Sequence, residues 1–216
     1  MLTVGLSPLK RNSSLIIQMI PKIVHQTWKT DTIPEKWARP YARCRNVLSG
    51  YEFKLWTDRK AREFIADNYP DSLKNFDSYP YTIQKVDALR YFILYHYGGI
   101  YMDLDVGCLK PLDSLLSNDA IIPKTIPIGY SNDVLFASQR HPFYKQLIHA
   151  LPYWNHYYLT PYPTIFFSTG PMFLTLQYFL YASTPGNTIT VLPVEQYSGN
   201  DTVSYFNHYQ VLSCVT

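Results

Sequence analysis

Asp103 and Asp105 follow the alternating run Ile100-Tyr101-Met102 and precede Val106-Gly107. Residues two apart share one side of a strand. Ile100, Met102 and Leu104 therefore point one way, and Tyr101, Asp103 and Asp105 the other, just where Val106-Gly107 lets the chain turn. Two adjacent carboxylates repel each other and lose hydration unless a cation lies between them. A hard divalent ion suits that place, since magnesium or manganese takes one or two carboxylates and fills its shell with waters and substrate phosphates. The ligand implied is a metal-bound diphosphate. An Asp-x-Asp alone also serves as an ordinary strand cap and is common by chance. Here it coincides with Asp87 and Arg90, three apart as helical neighbours, with the Gly98-Gly99 break, and with the alternating strand.

These groups must be held by a helix and a strand. Ile83, Val86, Leu89, Ile93 and Leu94 recur at helical steps and predict one apolar face. Gly98-Gly99 predicts the stop, because glycine accepts the left-handed conformation that ends helices.

Upstream, Ile20 to Trp28 reads as a buried first strand. Ligands of open α/β sheets bind beyond the carboxyl ends of strands, which places Gln26, Thr27 and Trp28 at a candidate nucleotide site. Trp28 suits a core position and base stacking equally. Pro34–Leu48 predicts a helix and Tyr51–Trp56 a second strand. Thr57 or Asp58 caps a helix running to Asn68, which Pro70 closes. Asp113–Leu116 predicts a turn and Ala120–Pro123 a further strand. The order is that of an α/β domain.

Asn132 and Asp133 precede the apolar run Val134–Ala137. They suit paired sugar hydroxyls and turn capping alike. His141-Pro142-Phe143 starts a helix. Ser168, Thr169, Gly170 and Pro171 lead into a Met172–Tyr181 helix, a start that can hold an anion or hydroxyl and is also plain helix-start chemistry.

The stretch Asp87–Asp105 resembles the core of the family 32 retaining glycosyltransferases. The Ile-Pro-Lys-x-x-His-Gln-x-Trp opening at Ile20–Trp28 is similar to theirs as well. The resemblance implies a single GT-A-like, nucleotide-diphospho-sugar transferase domain with a mixed, mostly parallel sheet flanked by helices. It implies that Asp87 and Arg90 contact the donor sugar, and that Asp103 and Asp105 are the ribose and metal contacts, with Mn²⁺ or Mg²⁺ as cofactor. Gln26, Thr27 and Trp28 then border the nucleotide. Ser131-Asn132-Asp133-Val134, Arg140-His141-Pro142-Phe143 and Ser168-Thr169-Gly170-Pro171 resemble the fungal branch that mannosylates inositol phosphorylceramide. This implies GDP-mannose as donor, a glycolipid acceptor met by Asn132, Asp133, Ser168, Thr169 and Gly170, a membrane-bound regulatory subunit, and the lumenal face of a Golgi or secretory-pathway membrane. Alternatives are a relative acting on protein-linked mannan, a UDP-sugar user, and a non-catalytic nucleotide- or glycan-binding subunit.

Composition sets the bounds. With 216 residues and 47% hydrophobic content the chain can bury one good core. A net charge of +3 without a basic cluster argues against nucleic acid. Cys44, Cys108 and Cys214 are an odd, scattered set from which no disulfide framework follows. Sequons at Asn12 and Asn200 permit a lumenal location. No apolar run reaches bilayer length, and Leu15-Ile16-Ile17 is too short for a secretory core, so no address is visible.

The expected organisation is a loose arm over 1–19, a catalytic domain over 20–210, and an atypical end over 211–216. In similar family members a Gly-Ser-Ser-Trp-His-like segment follows the counterpart of Phe206–Gln210, and its histidine or a neighbour closes the metal site. Here Val211–Thr216 stands instead. His208 is the candidate substitute ligand, and weak nucleotide binding with slow turnover is expected.

Overall fold

The apolar alternation of the strands sorts one sheet into two faces. The computed structural model describes residues 19–199 and 202–209. β1 (Ile23–Thr27) lies parallel to β2 (Glu52–Trp56) and to β3 (Gly99–Met102). β6 (Val134–Ala137) runs antiparallel to β3 and to β5 (Ala120–Pro123), and β5 runs parallel to β7 (Ile189–Leu192). The six-stranded order is β2-β1-β3-β6-β5-β7. A second ribbon pairs β4 (Val106–Cys108) with β8 (Phe206–His208), antiparallel.

Val24, Ile100, Met102, Val134 and Phe136 pack on one face with Cys44 and Leu48 of or next to α1 (Glu35–Val47). Tyr101, Ile122, Leu135 and Ala137 pack on the other with the remaining large helices. These are α2 (Asp58–Asn68), α4 (Thr82–Tyr97), α5 (Pro142–Trp154) and α7 (Pro171–Ala182). The period of two along each strand produces this split. The result is the expected mixed, mostly parallel α/β sheet covered by helices.

Several boundaries differ from expectation, each for a local reason. β3 stops at Met102, and Asp103 to Asp105 form a turn in which Val106 N–H donates to the Asp103 carbonyl at 3.1 Å. The two aspartates therefore lie beyond the strand rather than on it. α4 is no one-faced helix: Ala88 to Leu94 are all buried, whereas Ile83, expected on the apolar face, is 45% exposed. It is a central helix with neighbours on most sides. Pro70 opens α3 (Pro70–Ser78) instead of closing α2, since proline fits the first helical position. α6 (Pro161–Ser168) begins the same way, and α8 (Val194–Ser198) is a single short piece. Cys44 and Cys108 form a disulfide across 64 residues, stapling α1 to β4, where composition alone gave no framework. Cys214, both sequon asparagines, the arm up to residue 18 and the 210–216 end lie outside the described residues. No helix among the described residues is long and apolar enough to cross a membrane.

The α4–β3 junction has little freedom. Gly98 and Gly99 take φ +67° and +96°, and a Cβ on Gly99 would stand 2.5 Å from the Ile23 carbonyl oxygen. His25, buried beside them, has its Nε2 3.0 Å from the Gly98 carbonyl while its Nδ1 accepts from the Trp56 indole at 3.1 Å. The neutral tautomer protonated on Nε2 satisfies both. Burial therefore lowers its pKa from 6.5 to about 4, partly opposed by the Gly98 bond. Because the unfolded chain takes up this proton first, stability is complete above pH 6.5 and falls as pH drops toward 4. The loss is at most about 1.4 kcal/mol per pH unit. The thermal-denaturation midpoint of His25→Gln should accordingly fall less steeply across that window than that of the parent. Parallel acid limbs would show that His25 is already charged in the fold.

Candidate functional site

The carboxyl ends of β1 and β3 and the segment entering β6 converge on the Asp103–Asp105 turn. Asp103 N–H donates to the Asp133 carbonyl at 2.9 Å, which ties the turn to that segment. Tyr101, on the side its alternation indicated, donates its hydroxyl to Asp103 Oδ1 at 2.6 Å and lies 3.0 Å from Thr27 Oγ1. Burial raises the Asp103 pKa to about 7; Asp133 and Asp105 add to this while Arg90 opposes it. Asp105 is raised too, by burial first and then by Asp133.

Asp133 is the best satisfied of the three. It accepts from Ser131 at 2.6 Å and from Tyr197 at 2.6 and 2.7 Å, and pairs with His208 Nδ1 at 3.3 Å. Burial pushes it up, but His208, Ser131 and Tyr197 outweigh burial and hold it below the usual carboxylate range. His208 moves the other way: burial lowers it, and Asp133 overcomes that and raises it. Its Nε2 lies 3.3 Å from the Tyr197 carbonyl. Both ring nitrogens thus face protein acceptors, so a metal would have to draw His208 away from one of them.

Behind this turn lies the helix pair. Arg90 Nη2 bonds Asp87 Oδ1 at 2.7 Å and approaches Asp103 Oδ1 at 3.8 Å, while Nη1 donates to the Asn132 carbonyl. The guanidinium sits over the Tyr101 ring, 4.4 Å from its centroid. Asp87 also accepts from Asn132 Nδ2 at 3.1 Å and from Thr169 Oγ1 at 3.3 Å. Asp87 and Arg90 are only 4% and 2% exposed, and Arg90 Nε has no hydrogen-bond partner. The expected donor contacts are therefore largely engaged within the protein.

Four residues expected at the acceptor lie inside instead. Ser168 accepts from Gln84 Nε2 at 2.7 Å, and the Thr169 carbonyl accepts from Tyr91 at 2.7 Å. Both side chains are fully buried. Gly170 N–H is spent on the Ile165 carbonyl at 2.9 Å, and Pro171 has no N–H, so the start of α7 offers no open anion cradle. Asn132 is buried between Asp87 and Arg90 and braces that pair rather than facing solvent.

Of the β1 residues, Thr27 lines a cavity of about 220 Å³ together with Trp56, Thr57, Asp58, Lys85 and Val86. Gln26 and Trp28 do not line it. Gln26 is buried with Nε2 unpartnered, and Trp28 is half-buried with its N–H on the Trp56 carbonyl. Tyr197 went unrecognised in the sequence, since nothing in Val194–Ser198 marks it as a neighbour of Asp133. Among the described residues no group of three or more His, Cys, Asp or Glu side chains could hold a metal alone. Two hard carboxylates whose pKa values are raised, by burial first and then by Asp133, nonetheless fit an ion that takes the rest of its shell from a diphosphate.

Arg90→Lys keeps the charge but cannot span Asp87 and Asn132 together. It should cost about 2–3 kcal/mol of unfolding free energy, because a buried pair loses its geometry while both charges stay. Denaturant titration measures this, and a loss within error would mean that the pair does not brace the fold.

Residues 34–122 match the glycosyltransferase sugar-binding region containing the DXD motif. The chain is 49% identical over 212 residues to inositol phosphoceramide mannosyltransferase 1 of Schizosaccharomyces pombe, covering 95% of this chain and 66% of that protein. It is 45% identical over 183 residues to a mannosyl phosphorylinositol ceramide synthase of Saccharomyces cerevisiae, covering 83% of this chain and 48% of that one. It thus spans roughly half to two thirds of the length of these relatives. Among solved structures, the PaToxG glycosyltransferase superposes with a TM-score of 0.57 at 20% identity, covering 78% of this chain and 72% of that one, a likeness of fold. The chain belongs to the glycosyltransferases whose sugar-binding region carries the DXD motif.

Proposed function

We propose that the chain transfers mannose from GDP-mannose to the inositol headgroup of inositol phosphorylceramide, with retention, at the lumenal face of a Golgi membrane. The observation that carries the transfer chemistry is the cluster of Asp103, Asp105 and Asp133, with raised pKa values at the first two, against the buried Asp87–Arg90 pair. The lipid acceptor and the mannose are supported by the relatives, which are named as enzymes of that reaction. A membrane-bound regulatory subunit belongs to the same reading.

DXD glycosyltransferases generally use a divalent metal. Held by Asp103 and Asp105, Mn²⁺ or Mg²⁺ would supply the charge that a departing diphosphate needs. The chain's own groups do the rest. The cavity beside Thr27, Trp56 and Thr57 is the place for the nucleoside, and the Thr27–Tyr101–Asp103 hydrogen-bond chain connects it to the turn. Arg90, held over the Tyr101 ring, brings a fixed positive field to the turn. Its unpartnered Nε is the donor left for a ligand. Asp133 raises the His208 pKa and so favours its cationic form beside Asp105. Asn132 and Thr169 keep the Asp87 carboxylate from turning away.

A thermal-shift panel tests the donor. GDP-mannose with Mn²⁺ should raise the melting temperature, by the equivalent of about 2.7 kcal/mol at a hundredfold excess over Kd. A larger rise with a UDP-sugar would replace the donor. Offered inositol phosphorylceramide and free mannosides, the chain should glycosylate the lipid, and transfer to mannosides alone would point to the mannan reading. Binding without any transfer would leave a nucleotide-binding subunit.

Asp105→Ala should abolish Mn²⁺-dependent GDP binding while the ligand-free melting temperature stays equal or rises, since a repelled carboxylate is removed. A variant that still binds GDP in a Mn²⁺-dependent way would take Asp105 out of the metal site.

A further inference from the structure

Acidic residues are distributed very unevenly along this chain. From Ala120 to Val194 the only Asp or Glu is Asp133, while Lys124, Arg140 and Lys145 lie in the same stretch. Asp133 itself is occupied by Ser131, Tyr197 and His208. The surface built from this stretch therefore carries no other carboxylate, and it is where apolar side chains stand out. Ile126 is 76% exposed, Ile128 70%, Leu159 86%, Tyr157 65% and Tyr162 61%.

The exposed residues form two groups anchored on one helix. Ile126-Pro127-Ile128 is the tip of the loop between β5 and β6, whose stem closes at the Lys124–Tyr130 bridge. That stem rests on α7: Tyr130 N–H donates to Thr175 Oγ1 at 3.0 Å, and the Tyr130 ring lies 4.6 Å from Tyr178. The second group belongs to the α5–α6 link and the start of α6. Tyr162 stacks on Phe166 at 5.5 Å, and the Phe166 backbone packs against Gly170 at the start of α7. The first group thus rests on Thr175 and Tyr178 of α7, and the second reaches the start of that helix through Phe166, directly after Thr169, which donates to Asp87. The tip loop leads into Ser131, Asn132 and Asp133 at the candidate site.

Isoleucines at a loop tip gain nothing in water and present a narrow apolar wedge. Tyrosines with one polar end are favoured at membrane–water interfaces. The stretch that builds both groups has no carboxylate besides the occupied Asp133, and the exposed Lys124 at the stem of the wedge is complementary to anionic headgroups, a nearby cation strengthening the attraction. We propose that this face docks on a lipid bilayer bearing anionic headgroups, Ile126 and Ile128 entering the acyl boundary while Tyr157, Leu159 and Tyr162 lie at the interface. Docked this way, the segment Ser131–Asp133 is held close to the headgroup layer. The inference rests on the glycolipid reading for the purpose of docking, but its adhesion can be measured separately.

Flotation of the full chain with phosphatidylcholine vesicles, with and without phosphatidylinositol, is the test. The parent should float with both and more strongly with the anionic ones. Ile126→Glu combined with Ile128→Glu should lower the partition about a hundredfold, each isoleucine contributing roughly tenfold. Lys124→Glu should lower it only on anionic vesicles, by about fivefold. All three substitutions are at exposed side chains, so melting temperature and Mn²⁺-dependent GDP binding should stay at parent values. A parent that floats with neither vesicle, or a double variant that floats like the parent, overturns the proposal. So does self-association of the parent that the double variant lacks, without flotation, since the face would then belong to a second copy. Flotation without mannosyl transfer would refute the glycolipid reading and leave the docking face standing. Transfer to a water-soluble inositol phosphate retained by the double variant, with transfer to vesicle-borne lipid lost, would support both.

Discussion

The Asp87–Arg90 ion pair is the constraint on which the rest of this structure depends. Both groups are nearly inaccessible, and desolvating two charges costs more than their attraction returns unless hydrogen bonds complete the arrangement. Here Asn132 serves both partners, its side chain bonding Asp87 and its carbonyl accepting from Arg90. Thr169 supplies a further bond and Tyr101 a ring face. These contacts come from β3, from the β5–β6 connection and from the α6–α7 junction. A single pair on α4 thereby holds three separate segments around the Asp103–Asp105 turn. Ser168 and Gln84 repeat the device one turn earlier on α4, which explains why the Ser168–Gly170 stretch is interior.

The turn itself is electrostatically unfinished. Asp133 has three protein partners and sits below its ordinary pKa, while Asp103 and Asp105 are pushed up by burial and by their neighbours. Protein cations go only part of the way, since Arg90 lies 3.8 Å from Asp103 and His208 is committed to Asp133. A fold that spends its interior on satisfying one ion pair and leaves another acidic pair repelling shows where charge from outside belongs. The imbalance is sharpest there, because the pair one layer deeper has each carboxylate and guanidinium group bonded to the other and to Asn132.

Much of this was legible in the sequence where local rules decide. Helix limits at Pro34–Leu48 and Thr57–Asn68, the Gly98-Gly99 break, and the proximity of Asp87 to Arg90 depend on neighbours three or four residues away, and the structure has them. Tyr101 was placed beside Asp103 by alternation alone. What could not be read depends on distant partners. Helical spacing on α4 indicated one apolar face, yet a helix surrounded by α2, α3, α5 and α6 buries its other faces too, Asp87 and Arg90 included. Nothing in Ser168-Thr169-Gly170-Pro171 distinguishes a helix start that greets a ligand from one packed on Gln84 and Tyr91. Tyr197 reaches Asp133 from 64 residues away, and no local pattern carries such a contact. The Cys44–Cys108 bond is of the same kind.

The single reversed strand accounts for how the two halves of the chain meet. β2, β1 and β3 run parallel, so their carboxyl ends gather at one edge, where the Thr27–Thr57 cavity and the Asp103–Asp105 turn lie. A parallel β6 would present its own carboxyl end there and leave Asn132 and Asp133 at the opposite edge. Because β6 is antiparallel, with Met102 opposite Val134, its entry meets the exit of β3. The Asp103 N–H to Asp133 carbonyl bond is one step beyond that register. The same reversal sends the preceding loop, with Ile126 and Ile128 at its tip, out from the site edge rather than from the far one. Strand direction thus puts the Asp103–Asp105 turn, the brace on Arg90 and the apolar wedge at one end of the sheet, with the cavity along the same edge.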